Sequence, residues 1–142
     1  MEYPVEINVA SEKETALLAA QFAGDLNCGD VILLNGNLGS GKTFFVKQVC
    51  SVLGIDNVTS PSFAIVNEYE SGRKIIHFDF YRIKKVAELY DIGIEDYLVG
   101  ADSIVFVEWA ELFPEILPRK NFQVDFKFEN ESSRKIRIKK NG

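Results

Sequence analysis

Apolar and polar positions alternate along this chain in three distinct rhythms. Two short runs are apolar almost throughout: Asp30–Asn35, and Ser103–Trp109 with Ile104, Val105, Phe106 and Val107 at its heart. Strands buried on both faces read this way, so both runs predict central, parallel strands. Helical spacing appears in three places. Ser11-Glu12-Lys13-Glu14 forms a capping box, after which Leu18, Ala19, Phe22, Ala23 and Leu26 share one face. Lys42–Leu53 carries Phe45, Val46, Val49, Cys50, Val52 and Leu53 at helical spacing, with Gly54 as its stop. Val86–Val99 is helical in parts and broken by Gly93.

A period of two marks the rest. Pro4–Ala10 suits a short edge strand. Phe63–Tyr69 and Lys74–Tyr81 form a hairpin around Glu70-Ser71-Gly72-Arg73, and Phe122–Phe128 and Arg134–Lys140 form another through Glu129–Ser133. Glu111–Leu117 is a short helix interrupted by Pro114. This order predicts an α/β fold: a single domain over residues 1–142, its mixed, mainly parallel sheet flanked by helices and carrying antiparallel hairpins.

Between the first buried run and the helix after it lies Gly36-Asn37-Leu38-Gly39-Ser40-Gly41-Lys42-Thr43, a complete G-x-x-x-x-G-K-[ST] phosphate-binding loop (P-loop). The chemistry needs this order of strand, glycine loop and helix. Glycines let successive N–H groups point inward as a nest for phosphate oxygens, and the helix start adds its unpaired N–H groups and dipole. Lys42 would reach the β- and γ-phosphates, and the Thr43 hydroxyl would ligate magnesium. ATP and Mg2+ are the ligands expected, with Asn37, Leu38, Gly39, Ser40, Gly41, Lys42, Thr43 and Phe44 as binding residues.

Composition narrows the class. The chain has 142 residues, 46% hydrophobic and 12% aromatic, with a net charge of −5, which argues against indiscriminate nucleic-acid binding. The start of the sequence lacks the pattern of a signal peptide, and no apolar run approaches the roughly 20 residues of a membrane span. A cytoplasmic protein is expected, with neither membrane nor DNA as partner. Cys28 and Cys50 form no metal or disulfide spacing.

A phosphate loop also needs carboxylates. Asp79 and Glu108 both end apolar strands. Asp79 is read as the magnesium acid, directly or through water, and Glu108 as a second metal-side acid and the catalytic base or water-orienting group, acting with Lys42. Asp79 also reads as a turn carboxylate. His77 shares a face with Asp79 and Tyr81 and either orients the metal site or simply packs. Thr59 and Ser60 lie where a switch segment passes the γ-phosphate in P-loop folds, and they read equally as turn residues capping backbone groups. Trp109 would lie near the nucleotide. The tail from Arg134 to Lys140 reads first as a charge-protected edge strand and second as a tRNA-backbone contact.

The phosphate loop, Thr59-Ser60-Pro61-Ser62-Phe63, His77-x-Asp79-x-Tyr81-Arg82 and Val107-Glu108-Trp109-Ala110-Glu111 follow one another in register. Together with Glu88–Tyr97 they resemble the TsaE (YjeE) family of small bacterial P-loop ATPases. The resemblance implies an ATP-hydrolysing subunit in the formation of N6-threonylcarbamoyladenosine at adenosine 37 of tRNA. It implies the TsaD–TsaB heterodimer as partner, tRNA contact only through that complex, and activity that is weak alone. It carries phosphate and magnesium onto Lys42 and Thr43, the switch onto Thr59, the metal onto Asp79 and hydrolysis onto Glu108. Asn37, Phe44, Ser62 and Phe80 depart from the family's usual Asp, Thr, Thr and Leu, and the loop contacts made by backbone, Lys42 and Thr43 survive these changes. The rival reading is a P-loop kinase acting on a small metabolite, and the chain has few residues to spare for its lid and acceptor pocket.

Overall fold

The computed structural model describes residues 1–37, 39–61 and 64–142. Its strands are β1 (Val5–Val9), β2 (Val31–Asn35), β3 (Val66–Glu70), β4 (Lys74–Asp79), β5 (Ser103–Glu108), β6 (Asn121–Asn130) and β7 (Ser133–Asn141). They form one sheet in the order β1-β7-β6-β2-β5-β4-β3. The four central strands, β6, β2, β5 and β4, run parallel, and hairpin partners join antiparallel at either side. The apolar runs of β2 and β5 sit at the middle, as two-sided burial demands.

Helices α1 (Glu12–Ala23) and α2 (Lys42–Val52) cover one face. The Ser11 hydroxyl accepts the Glu14 N–H at 3.1 Å and caps α1. Glu14 accepts the Ala10 N–H in return, one residue earlier than the usual box. Under these helices Phe22, Phe45, Phe122 and Phe126 interlock. The Phe22 ring centroid lies 5.2 Å from that of Phe122, and the Phe45 centroid 5.5 Å from that of Phe126. The shorter α3 (Val86–Asp91) and α4 (Ile94–Val99) cover the other face, where Leu89, Ile94 and Leu98 meet Ile76, Phe78, Val105 and Val107. Gly93 separates them, as the sequence implies. Val52, expected on the apolar face of α2, is 55% exposed, because the helix ends there.

Two expectations change. The segment at 111–117 is not a broken α-helix but two 3-10 turns, Ala110–Leu112 and Pro114–Ile116, because Pro114 restarts the turn instead of continuing it. The basic tail is not an edge strand. β7 lies between β1 and β6, with Ile136 and Ile138 buried, and the edges are β1 and β3. Its charges alternate across the two faces: Lys135 pairs with Glu6 at 3.4 Å on one, while Arg134 shares the other with the buried isoleucines.

The phosphate-loop helix is therefore fixed by aromatic packing beneath it. Phe45→Ala should cost about 3–5 kcal/mol of stability, read from urea unfolding; a loss within ~0.5 kcal/mol would show that Phe45 does not anchor α2.

Candidate functional site

β2 delivers the chain to the loop at its carboxyl end, and α2 leaves from it. Two glycines have geometry that side chains would spoil. At Gly36 (φ +151°) a Cβ would lie 2.8 Å from Ser40 Oγ and 3.0 Å from the Phe126 carbonyl oxygen. Gly41, at the N-cap of α2, has a left-handed φ of +105°. Ser40 is buried, and its N–H donates to the Asn37 carbonyl at 3.1 Å; Asn37 itself is exposed. Leu38, expected among the binding residues, lies outside the described residues, as do Ser62 and Phe63 of the second motif.

Parallel pairing then brings the distant acids in. Leu34 of β2 stands opposite Glu108 of β5, and Glu108 stands opposite Asp79 of β4. Glu108 is 2% exposed and points toward the start of α2. The Thr43 hydroxyl donates to its two carboxylate oxygens at 3.0 and 3.1 Å. His77 Nε2 lies 2.6 Å from the same carboxylate. Asp79 accepts the Tyr81 N–H at 2.9 Å, and burial raises its carboxyl above the ordinary range, with the Glu108 charge adding to this.

Lys42 is 5% exposed and donates to the Gly36 carbonyl. Its Nζ sits 3.5 Å from the centroid of the Trp109 ring, and Trp109 stacks at 4.9 Å on Tyr81. Trp109 has φ +59°, the left-handed region that non-glycine residues seldom occupy. Burial lowers the Lys42 pKa despite the neighbouring Glu111, Glu108 and Asp79.

Two cavities flank the loop. The first, about 300 Å³, is lined by Lys42, Thr43, Ser60, Asp79, Glu108 and Trp109 among others. Of the sequence-expected residues, those from Gly39 to Phe44 converge with Ser60, Asp79, Glu108 and Trp109 on this one space, and Asn37 does not line it. Thr59 is placed differently: its N–H donates to the Tyr69 hydroxyl at 3.1 Å, which ties its backbone to β3. The second cavity, about 380 Å³, lies on the other side of the loop, between Ser11, Gly41, Phe44, Phe126, Arg134 and Ile136. Sequence reasoning missed it. Arg134 Nη2 donates to the Gly39 carbonyl at 3.3 Å, so the first residue of the basic tail belongs to the loop. Its signal was the alternation that puts it on the face of Ile136 and Ile138.

Magnesium fits these donors. Among the described residues no cluster of three or more His, Cys, Asp or Glu could cage a metal by itself. Mg2+ is commonly held by one or two carboxylates with substrate phosphates and water, which is what Thr43, Glu108 and Asp79 offer beside a phosphate nest.

Known proteins resemble this chain over most of its length. The family model described as threonylcarbamoyl adenosine biosynthesis protein TsaE matches residues 9–136. The chain is similar to the tRNA threonylcarbamoyladenosine biosynthesis protein TsaE of Rickettsia typhi, 38% identical over 133 residues that span 92% of this chain and 91% of the relative. The protein of the same name from Bacillus subtilis is 39% identical over 132 residues, 92% of this chain and 80% of the relative. Among solved structures, that of Bacillus subtilis YdiB superposes with a TM-score of 0.82 at 30% identity, covering 100% of this chain and 88% of that one.

Asp79 is held ionised against burial, so at neutral pH the folded state carries the whole of that cost; it disappears only as pH falls through the raised folded pKa toward the unfolded one. Asp79→Asn should therefore leave the thermal midpoint of the ligand-free protein unchanged or raise it, by less than the roughly 4 °C that ~1 kcal/mol moves a domain of this size, because Asp79 is only half-buried and solvent screens its charge. A fall of that size would contradict the assignment.

Proposed function

Because this chain belongs to the TsaE family, we propose that it is an ATP-binding and ATP-hydrolysing subunit in the threonylcarbamoyladenosine modification of tRNA, working in the cytoplasm with a TsaD–TsaB pair. The observation that carries the proposal is the convergence of Lys42, Thr43, Asp79 and Glu108 on the cavity beside the phosphate loop.

In this reading the N–H groups of residues 39–44 cradle the phosphates, and Lys42 exchanges the Gly36 carbonyl for phosphate oxygens. Magnesium supplies neutralisation of the charge on the β- and γ-phosphates. Thr43 and Glu108, already joined, would hold the cation, with Asp79 of β4 as a further oxygen ligand, directly or through water. Glu108 also orients the attacking water. The base and ribose take the second cavity, where Phe44, Phe126 and Ile136 offer apolar surface and Ser11 and Arg134 offer polar groups. Ser60, at the wall of the phosphate cavity, would serve as the switch residue toward the γ-phosphate.

A site whose lysine is covered by Trp109 and whose Glu108 is buried is poised rather than open, and this accords with weak activity in isolation. tRNA is then met only through the partner complex. The test is ATP hydrolysis by the chain alone and with a TsaD–TsaB pair. Strong stimulation by the pair is expected, and Glu108→Ala should keep ATP binding while losing about 100-fold or more in turnover. Full turnover by that variant would move the water-orienting role elsewhere, and phosphoryl transfer from ATP to a small-molecule acceptor would replace the reading with a kinase.

A further inference from the structure

His77 is the only histidine in the chain, and it is fully buried on β4. A polar ring in such a place is costly unless hydrogen-bonded. It makes that bond at one point only. Nε2 meets Glu108 Oε2 at 2.6 Å, while among the described residues Nδ1 has no partner. An ionised carboxylate only accepts, so Nε2 carries the hydrogen and donates it.

Glu108 needs such a constraint. Its backbone is fixed by pairing with Leu34 and Asp79, but its side chain has three rotatable bonds, so the direction of the carboxylate is set by what it is bonded to. Thr43 holds it from the side of α2, through a hydroxyl that a bound cation would also claim. His77 holds it from β4 with a donor that has no other duty. A ring there only to fill volume would do as well if apolar on one side, where Ile75 of the same strand and Phe106 of β5 lie; on the other side Asn67 of β3 stands opposite it in register, and among the described residues the ring's one hydrogen bond goes to Glu108.

We propose that His77 is a positioning residue: its Nε2–H fixes Glu108 in the orientation that meets Thr43, and so sets how tightly a divalent cation is held against the phosphates at this corner of the loop. The inference rests on the nucleotide and magnesium reading given above. Groups that orient a ligating side chain in this way change metal affinity by about 10- to 100-fold when removed.

The test is calorimetric titration of the full chain with ADP, in EDTA and in magnesium, for the wild type and for His77→Leu, His77→Gln and His77→Asn. Glutamine places its amide nitrogen near the position of Nε2, whereas asparagine places it near Nδ1. Affinity in EDTA should be similar for all four proteins. The gain in affinity on adding magnesium should fall about tenfold or more in the leucine and asparagine variants and be largely kept by glutamine. An asparagine variant with the full gain, or a glutamine variant as impaired as asparagine, would overturn the proposal. Should the leucine variant fail to fold, the glutamine–asparagine pair still decides. A wild type that binds no ADP, or gains nothing from magnesium, would overturn the nucleotide and magnesium reading along with it. A normal wild type with unaffected variants would overturn only the role of His77.

Discussion

Parallel pairing of β2 with β5 sets Leu34 opposite Glu108, and the arrangement of the site follows from that register. The Trp109 N–H continues the ladder one step further, donating to the Leu34 carbonyl at 3.1 Å. The phosphate loop and the acid therefore leave the sheet side by side, with the start of α2 above both. A slip of one residue would turn Glu108 to the opposite face, under α3 and α4, and leave Thr43 without its partner. The register is held by burial on both faces: Ile32, Leu34, Phe106 and Val107 are all 0% exposed, and any slip would disturb two apolar layers at once.

That precision comes at an energetic cost. Lys42, Glu108 and His77 are each at most 5% exposed, and Asp79 is held ionised against burial. In the free protein these groups satisfy one another in makeshift ways. Lys42 leans on a backbone carbonyl and the face of Trp109, and Thr43 gives its hydroxyl to Glu108. Each of those contacts is one that a phosphate or a cation could replace with a stronger one, since charge-assisted bonds gain most where water is excluded. Backbone strain lies in the same place, at Trp109 against Lys42, the one non-glycine residue among those described with a left-handed φ.

Much of this was legible in the sequence because it depends on local signals. The apolar runs of β2 and β5, the capping box before α1 and the glycine loop each declare themselves within a few residues. The convergence of Asp79 and Glu108 with Thr43 was also readable, because both acids end apolar strands and parallel strands end at the same side of a sheet. What escaped depends on long-range pairing. The order of strands decides that β7 is internal, and only then does Arg134 come to rest against Gly39. The cavity between α1, the loop and the β6–β7 end is assembled from segments more than a hundred residues apart, with no local pattern to announce it. For His77, alternation gave the correct face but could not choose between packing and bonding; the distance to Glu108 does.

The central claim is that the loop at residues 36–43 takes the phosphates of ATP with Lys42 as its cation, and calorimetric titration of the Lys42→Ala variant with ATP tests it most directly. Losing this charge should abolish measurable ATP binding, while circular dichroism shows helix and strand content unchanged. ATP affinity undiminished in a folded Lys42→Ala protein would contradict the account.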